Sequence, residues 1–264
     1  MTYLADYYAN YTGPGGDWEQ SFGKRKYYYD AMARIIARVH PQAASMVEVG
    51  CGLGMFTFAM ASRNQDLKIV AGDISDYAVT VAGSKLAPFA NVKIMRLDAE
   101  DLPFENASVD IVTAFDVAEH LPNPEKLMEA AWRVLRPGGT FIFTTPNPTS
   151  LGARIKRKGQ VGEVPDDKRF WFALRDATHI NLQPPSFWRQ LCLQSGFEKI
   201  EDGSDFWWDT PYVPFIPDAL QRLVFNGSHQ ILMRLVGYCS WQLGENYIGV
   251  WKKPAYTSVA HDNG

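Results

Sequence analysis

At 264 residues the chain has room for one large domain or two small ones, and 46% hydrophobic against 21% charged residues describes a globular protein with a full core. A net charge of -3 leaves no overall basic field to draw in nucleic acid. Three cysteines, Cys51, Cys192 and Cys239, have no paired spacing and argue against a disulfide framework; no run of about 18 apolar residues exists to span a membrane, so a cytoplasmic protein is expected.

Residues 1–23 are aromatic and Gly-rich, with Tyr3, Tyr7 and Tyr11 evenly spaced before the breaker Gly13-Pro14-Gly15-Gly16, and read as an N-terminal lid segment. A helix is predicted over 24–39, where Tyr28, Met32, Ile35, Ile36 and Val39 share a face and Pro41 follows its end. Then comes Met46-Val47-Glu48-Val49-Gly50-Cys51-Gly52-Leu53-Gly54, a short apolar strand carrying one acidic residue and running into three glycines. Such glycines let a strand-to-helix turn bend sharply and approach a ligand, since no Cβ stands in the way. A dinucleotide fingerprint counted from Gly50 requires glycine at 55, which is Met55; counted from Gly52 it requires glycine at 57, which is Thr57. An NAD-dependent dehydrogenase is therefore disfavoured.

From this point short β-rich runs at 46–49, 67–72, 92–97, 109–115 and 139–145 alternate with helical runs at 54–63, 75–86 and 124–135, the pattern of a parallel sheet with crossover helices. Arg136-Pro137-Gly138-Gly139 reads as a breaker and turn before the fifth strand. The stretch 146–183 is polar and basic, includes Arg154, Lys156, Arg157 and Lys158, and is long for a structureless loop. A helix at 185–195 and a strand at 197–201 follow. Residues 203–242 bring Phe206-Trp207-Trp208, several prolines and an apolar helical run at 219–236, before a last strand at 246–251 and a tail at 254–264.

Five patches fall in a telling order: the acidic-x-Gly-x-Gly-x-Gly turn; Asp73 closing the second strand; Asp98-Ala99-Glu100-Asp101-Leu102-Pro103-Phe104 after the third; Phe115-Asp116-Val117-Ala118-Glu119-His120-Leu121 after the fourth; and Leu135-Arg136-Pro137-Gly138-Gly139. Over about residues 40–202 the chain resembles the class I S-adenosylmethionine (SAM)-dependent methyltransferases. The resemblance implies a doubly wound, Rossmann-like α/β fold: a seven-stranded sheet with helices on both faces and its last strand inserted antiparallel. Residues 24–202 would form the SAM-binding core, 203–242 an inserted cap and 243–253 the last core strand.

An acidic residue at the end of the second strand can accept both ribose hydroxyls, which assigns that part to Asp73 with Ile74 beside it; the bland alternative is that Asp73 caps the helix near Ser75. By resemblance, Gly50, Cys51, Gly52 and Gly54 pass beneath the methionine portion, Asp98 and Ala99 take the adenine edge, and Asp116 continues the same sheet edge. Glu48 either orders the turn or meets the methionine ammonium. Cys51 has no base nearby and is a small filler rather than a nucleophile.

Methyl transfer needs in-line placement of an acceptor lone pair and exclusion of water, with a base only where a hydroxyl proton must leave. His120 and His179 are the candidate bases, each with loop anchoring as the alternative, while His40 and His229 have no motif around them and no metal is expected. The acceptor pocket is expected from the irregular segments, whose Tyr7, Tyr8, Tyr11, Trp18, Phe170, Trp171, Phe172, Trp207, Trp208, Tyr212 and Phe215 suit a planar or apolar small molecule. The expected activity is SAM-dependent methylation of a small-molecule acceptor at oxygen, releasing S-adenosylhomocysteine (SAH). The alternatives are a SAM-bound cyclase or isomerase without methyl transfer, a binding protein that has lost catalysis, and methylation of a glycan or macromolecule.

Overall fold

A computed structural model describes residues 7–8, 17–157, 176, 178–208, 210–213 and 215–255. The first long helix, α1 (Trp18–Val39), starts ahead of the position predicted for it because Asp17 caps it, its side chain accepting from Gln20 N. Its buried stripe, which includes Met32, Ile35 and Ile36, seats it on the sheet. There follow β1 (Ser45–Val49), α2 (Met55–Arg63), β2 (Lys68–Asp73), α3 (Asp76–Leu86), β3 (Val92–Arg96) and β4 (Val109–Phe115). A single 3-10 turn, Ala118–His120, separates β4 from α4 (Pro124–Val134), and β5 (Leu135–Pro146) follows at once.

The sheet order is β3-β2-β1-β4-β5-β7-β6. Strands β1 to β5 pair in parallel, whereas β7 (Asn246–Lys252) lies antiparallel between β5 and β6 (Glu198–Ser204). The expected seven strands and inserted last strand are both present. One side of the sheet packs on α1, α2 and α3 through residues such as Met32, Phe56, Met60 and Leu86. The other packs on α4 and α6 (Pro185–Gln194) through Leu127, Met128, Trp188 and Leu191. Burial on both faces explains the unbroken apolar strands, with Ile111, Val112, Phe141, Ile142 and Phe143 fully shielded from solvent.

Two stretches depart from the sequence prediction. Arg136-Pro137-Gly138-Gly139 is part of β5 rather than a turn ahead of it: Leu135 already pairs with Val109, and a register shift between Val109 and Ile111 absorbs the irregular residues. Within 146–183, a helix α5 (Leu151–Arg157) begins behind Asn147, whose amide donates to Gln242 O and Gly244 O and whose backbone N–H donates to Glu245 O. The segment between β6 and β7 contains α7 (Asp218–Leu235), which rests on α1, Arg34 donating to Met233 O and Arg234 O. Among the described residues no helix is long and apolar enough to cross a membrane.

Candidate functional site

The turn after β1 has a left-handed backbone at all three glycines, φ being +68° at Gly50, +50° at Gly52 and +78° at Gly54. The three do different work. A Cβ on Gly50 would lie 2.3 Å from Val117 Cγ2, so this glycine lets β1 and the segment after β4 approach. At Gly54 a Cβ would meet Leu86 Cδ1 at 2.8 Å and Ala82 Cβ at 3.1 Å, which makes it a packing glycine between α2 and α3 rather than a ligand contact. Only Gly52 opens onto space, its nearest neighbour being Tyr8 Cε1 at 3.8 Å.

Asp73, at the end of β2, ties this turn together. One carboxylate oxygen accepts from Gly52 N at 2.9 Å; the other accepts from Ser75 N at 2.9 Å and from the Tyr8 hydroxyl at 3.2 Å. The cap of α3 is Ser75, which accepts from Ala78 N, so Asp73 is not spent on capping. Glu48 lies beneath, 4% exposed, and accepts from the Thr57 hydroxyl. Burial pushes its carboxyl pKa up to about 8, against the partial relief given by Thr57.

A cavity of about 720 Å³ opens over these groups at the carboxyl ends of β1, β2, β3 and β4. That falls within the roughly 300–1,000 Å³ of small-molecule pockets. Glu48, Gly50, Cys51, Gly52, Asp73, Ile74, Asp98, Ala99, Asp116, His120 and His179 all line it. The sheet edge, with the 178–181 segment, thus brings these candidate cofactor and base residues to one place. Asp98 accepts from Glu100 N, which shapes the turn that presents Ala99. Asp116 holds a left-handed φ of 54°, unusual for a residue with a Cβ, and is fixed by Thr144, whose hydroxyl donates to it at 2.8 Å. Burial raises the Asp116 carboxyl, partly offset by Thr144 and the positive charge of Arg25. The Cys51 thiol is likewise raised by burial, in keeping with a filler.

The two histidines meet although they are distant in sequence. Asn181 N donates to Glu119 O at 2.9 Å and the Asn181 amide donates to Leu121 O, which stitches the 178–181 segment to the 3-10 turn. The rings of His120 and His179 then lie 4.6 Å apart between centroids. His120 Nδ1 contacts Thr178 through its hydroxyl at 2.9 Å and its carbonyl at 3.2 Å, so chemistry at this imidazole runs through Nε2. Burial, with His179 adding to it, pushes the His120 pKa down to about 4 and keeps the ring neutral at pH 7. His179 Nε2 is 3.5 Å from Asp176 Oδ2. Glu119, His120 and His179 each present a ligand-type atom, all within 4.8 Å of one another.

Several wall residues carried no assignment from the sequence. Arg25 lines the cavity and is its sole Arg or Lys among the described lining residues. It is an exposed residue of α1, one turn before Tyr28 and Tyr29, and no local pattern in the sequence sets it apart from the other solvent-facing cations of that helix. Asp205 and His229 also line the cavity, from the segment between β6 and β7, and no local pattern marks them. Of the aromatic residues expected in the pocket, Tyr7, Tyr8 and Trp208 line it; Trp18 and Tyr212 are buried elsewhere, Trp207 stacks on Trp241 and donates to Leu243 O instead, and Phe215 is fully exposed. Tyr11, Phe170, Trp171, Phe172 and Lys158 fall outside the described residues, as do the side chains of Lys156 and Arg157.

Residues 47–143 match a methyltransferase domain family. The ubiquinone biosynthesis O-methyltransferase of Paraburkholderia phymatum is 33% identical over 115 residues, covering 43% of this chain and 49% of that protein. The chain therefore spans about half the length of the curated relatives it matches. Among solved structures, a SAM-dependent methyltransferase from Thermotoga maritima superposes with a TM-score of 0.60 at 15% identity, covering 95% of this chain and 100% of that one. The cyclase SpnF superposes with a TM-score of 0.58 at 16% identity, covering 86% of this chain and 82% of that one. At such identities these likenesses establish the α/β fold alone.

Proposed function

We propose that the chain, whose residues 47–143 match a methyltransferase domain family, is a class I SAM-dependent methyltransferase that transfers the cofactor's methyl group to a hydroxyl oxygen of a small-molecule acceptor. One observation carries the reading: Glu48, Gly52, Asp73, Asp98 and Ala99 converge on one cavity from the ends of successive strands, where ligands of open α/β sheets bind. The residues present fit the cofactor, since Gly52 leaves a bare peptide at the cavity wall and the carboxyl groups of Glu48, Asp73 and Asp98 line the same cavity. Bound there, SAM supplies a methyl group already activated on a sulfonium.

In this reading Asp73 accepts the ribose hydroxyls, and Asp98 with the Ala99 backbone takes the adenine edge, Ile74 lying alongside. Gly50, Cys51 and Gly52 run beneath the methionine portion, while Arg25 and Glu48 meet its carboxylate and ammonium. Tyr27, Tyr28, Phe115 and Trp208 wall the remaining volume and favour a planar or apolar acceptor. The acceptor's proton is handled by the Glu119–His120–His179 group, which Asp116 adjoins. The name of the Paraburkholderia relative supports oxygen as the methylated atom.

The Glu48 assignment has a proton signature. Its pKa of about 8 leaves the carboxyl mostly protonated at pH 7, whereas pairing with an ammonium requires the carboxylate. SAM binding at pH 7 should release close to one proton, and affinity should climb as pH rises towards 8. Calorimetry in buffers of different ionisation enthalpy measures the release, which Glu48→Gln should remove; buffer-independent heats in the wild-type protein would exclude the contact. For the histidine, His120→Ala should reduce kcat by about 100-fold or more, within the usual range of acid–base contributions, while leaving SAM affinity nearly unchanged. Full turnover in that variant would return His120 to loop anchoring.

Because a cyclase shares the fold, architecture does not by itself decide between transfer and a spectator cofactor. Mass-spectrometric screening of hydroxylated aromatic acceptors tests the proposal directly. SAH must appear in equal amount with a product heavier by one methylene. A converted acceptor with no SAH would replace transfer by cyclisation or isomerisation.

A further inference from the structure

Glu119 is the most costly side chain in the cavity wall. It is 0% exposed, and neither Oε1 nor Oε2 makes a hydrogen bond of good geometry; the Thr145 hydroxyl and the Glu119 backbone offset its burial only in part. A buried carboxyl with neither oxygen well bonded costs several kcal/mol unless something in the site answers it, by roughly the desolvation scale for polar and charged groups. Beside it stand two imidazoles, His120 and His179, with one atom from each of the three residues inside a 4.8 Å set. Two histidines and one carboxylate, gathered at a cavity wall with further room in front, form a ligand set for a first-row divalent metal that keeps an open coordination position.

We propose that Glu119, His120 and His179 bind one divalent transition-metal ion of the zinc type at the wall of the acceptor pocket. The outer contacts match what such ligands require. Thr178 engages His120 Nδ1, which directs Nε2 to the metal, and Asp176 lies 3.5 Å from His179 Nε2 as the orienting carboxylate. Asp176 in turn accepts from Thr178 N at 2.9 Å and from the Thr178 hydroxyl, so one short segment fixes both rings. Ligand atoms about 2.1 Å from a common zinc ion sit roughly 3.4 Å apart in tetrahedral geometry. The present set, within 4.8 Å, would have to close by roughly an ångström to reach that spacing. The pair of histidines is remote in sequence and has no metal-type spacing, which is why the sequence alone suggested no metal.

The site itself stands on the cluster; its role rests on the methyl-transfer reading. There, an acceptor hydroxyl at the open position would have its pKa lowered by the ion, its proton passing to solvent with no change in metal oxidation state. The imidazoles would then act as ligands and leave proton removal to the metal.

The test uses the full chain, stripped with chelator and titrated with Co(II), whose visible absorption reports four- or five-coordinate nitrogen–oxygen sites, and with Zn(II) in competition. The expected result is one equivalent bound by the wild-type protein, weakened at least 100-fold in both Glu119→Gln and His179→Ala. Calorimetric SAM affinity in the same samples should stay within about threefold, which also confirms that the variants fold. Absence of stoichiometric binding in the wild type, or binding unaltered in both variants, overturns the site. Loss of SAM binding in the wild type would instead strike the methyltransferase reading, so the two failures are separable.

Discussion

Replacing Asp73 with alanine is expected to weaken SAM binding by about 100-fold or more. Two hydrogen bonds from ribose hydroxyls to a carboxylate contribute about 1.5–3 kcal/mol each, and about 1.4 kcal/mol corresponds to a tenfold change in affinity. The carboxylate is already held in place by Gly52 N, Ser75 N and the Tyr8 hydroxyl, so little ordering remains to be done when ligand arrives. The substitution also frees the Gly52 amide and loosens the turn that forms the cavity floor. Asp73→Asn keeps some of these bonds and should fall between the two. Calorimetric titration with SAM and SAH provides the measurement, with thermal unfolding alongside. Unchanged affinity in a folded Asp73→Ala protein would remove the ribose assignment.

The second large effect belongs to the glycine turn and separates two positions that a motif treats as equal. Gly52→Ala meets only the backbone cost of a left-handed residue, on the order of 1–2 kcal/mol. Gly50→Ala meets that cost and also a clash, since the new methyl would stand 2.3 Å from Val117 Cγ2. Overpacking adds about 1–3 kcal/mol, so Gly50→Ala should lose roughly 2–5 kcal/mol and, through displacement of Val117, disturb Asp116 as well. Urea unfolding and SAM titration on both variants check the order. Equal losses would mean that the Val117 contact yields freely. A double variant, Gly50→Ala with Val117→Ala, should recover most of the difference, because the smaller neighbour leaves the methyl its space.

The core of the fold was legible from the chain because parallel strands buried on both faces are written largely as apolar runs, as in Phe141-Ile142-Phe143. The ligand-bearing ends of β1, β2, β3 and β4 were legible for a related reason: a sharp turn shows itself by glycine, and a carboxylate at a strand end has few structural reasons to be there. Where the backbone is irregular the reading failed. Pro137 and the two glycines after it look like a stop, yet β5 begins at Leu135 because a shifted register with β4 tolerates them. Gly54 looks like a cofactor contact and instead seats α2 on α3. The Glu119–His120–His179 grouping was the least visible feature, since it forms where two Asn181 hydrogen bonds and the His120–Thr178 contact join segments distant in sequence. Tertiary closure of that kind leaves no periodicity or spacing behind. Arg25 left no clue either: it is an exposed residue of α1, and its part in the cavity wall acquires meaning only when the opposite wall is known.

The insertion of β7 between β5 and β6 has a consequence for biosynthesis. The strand that joins the two parts of the sheet is the last of the seven to leave the ribosome. Until Asn246–Lys252 emerges, a nascent chain carries one open edge on Phe141–Thr145 and another along β6, both able to recruit strands from neighbouring polypeptides. Translation that stalls upstream of Asn246 therefore yields a product with most of its chemistry-bearing residues and an unsealed sheet. Such a fragment is expected to aggregate rather than to show partial activity, which expression of a chain truncated before Asn246 would check.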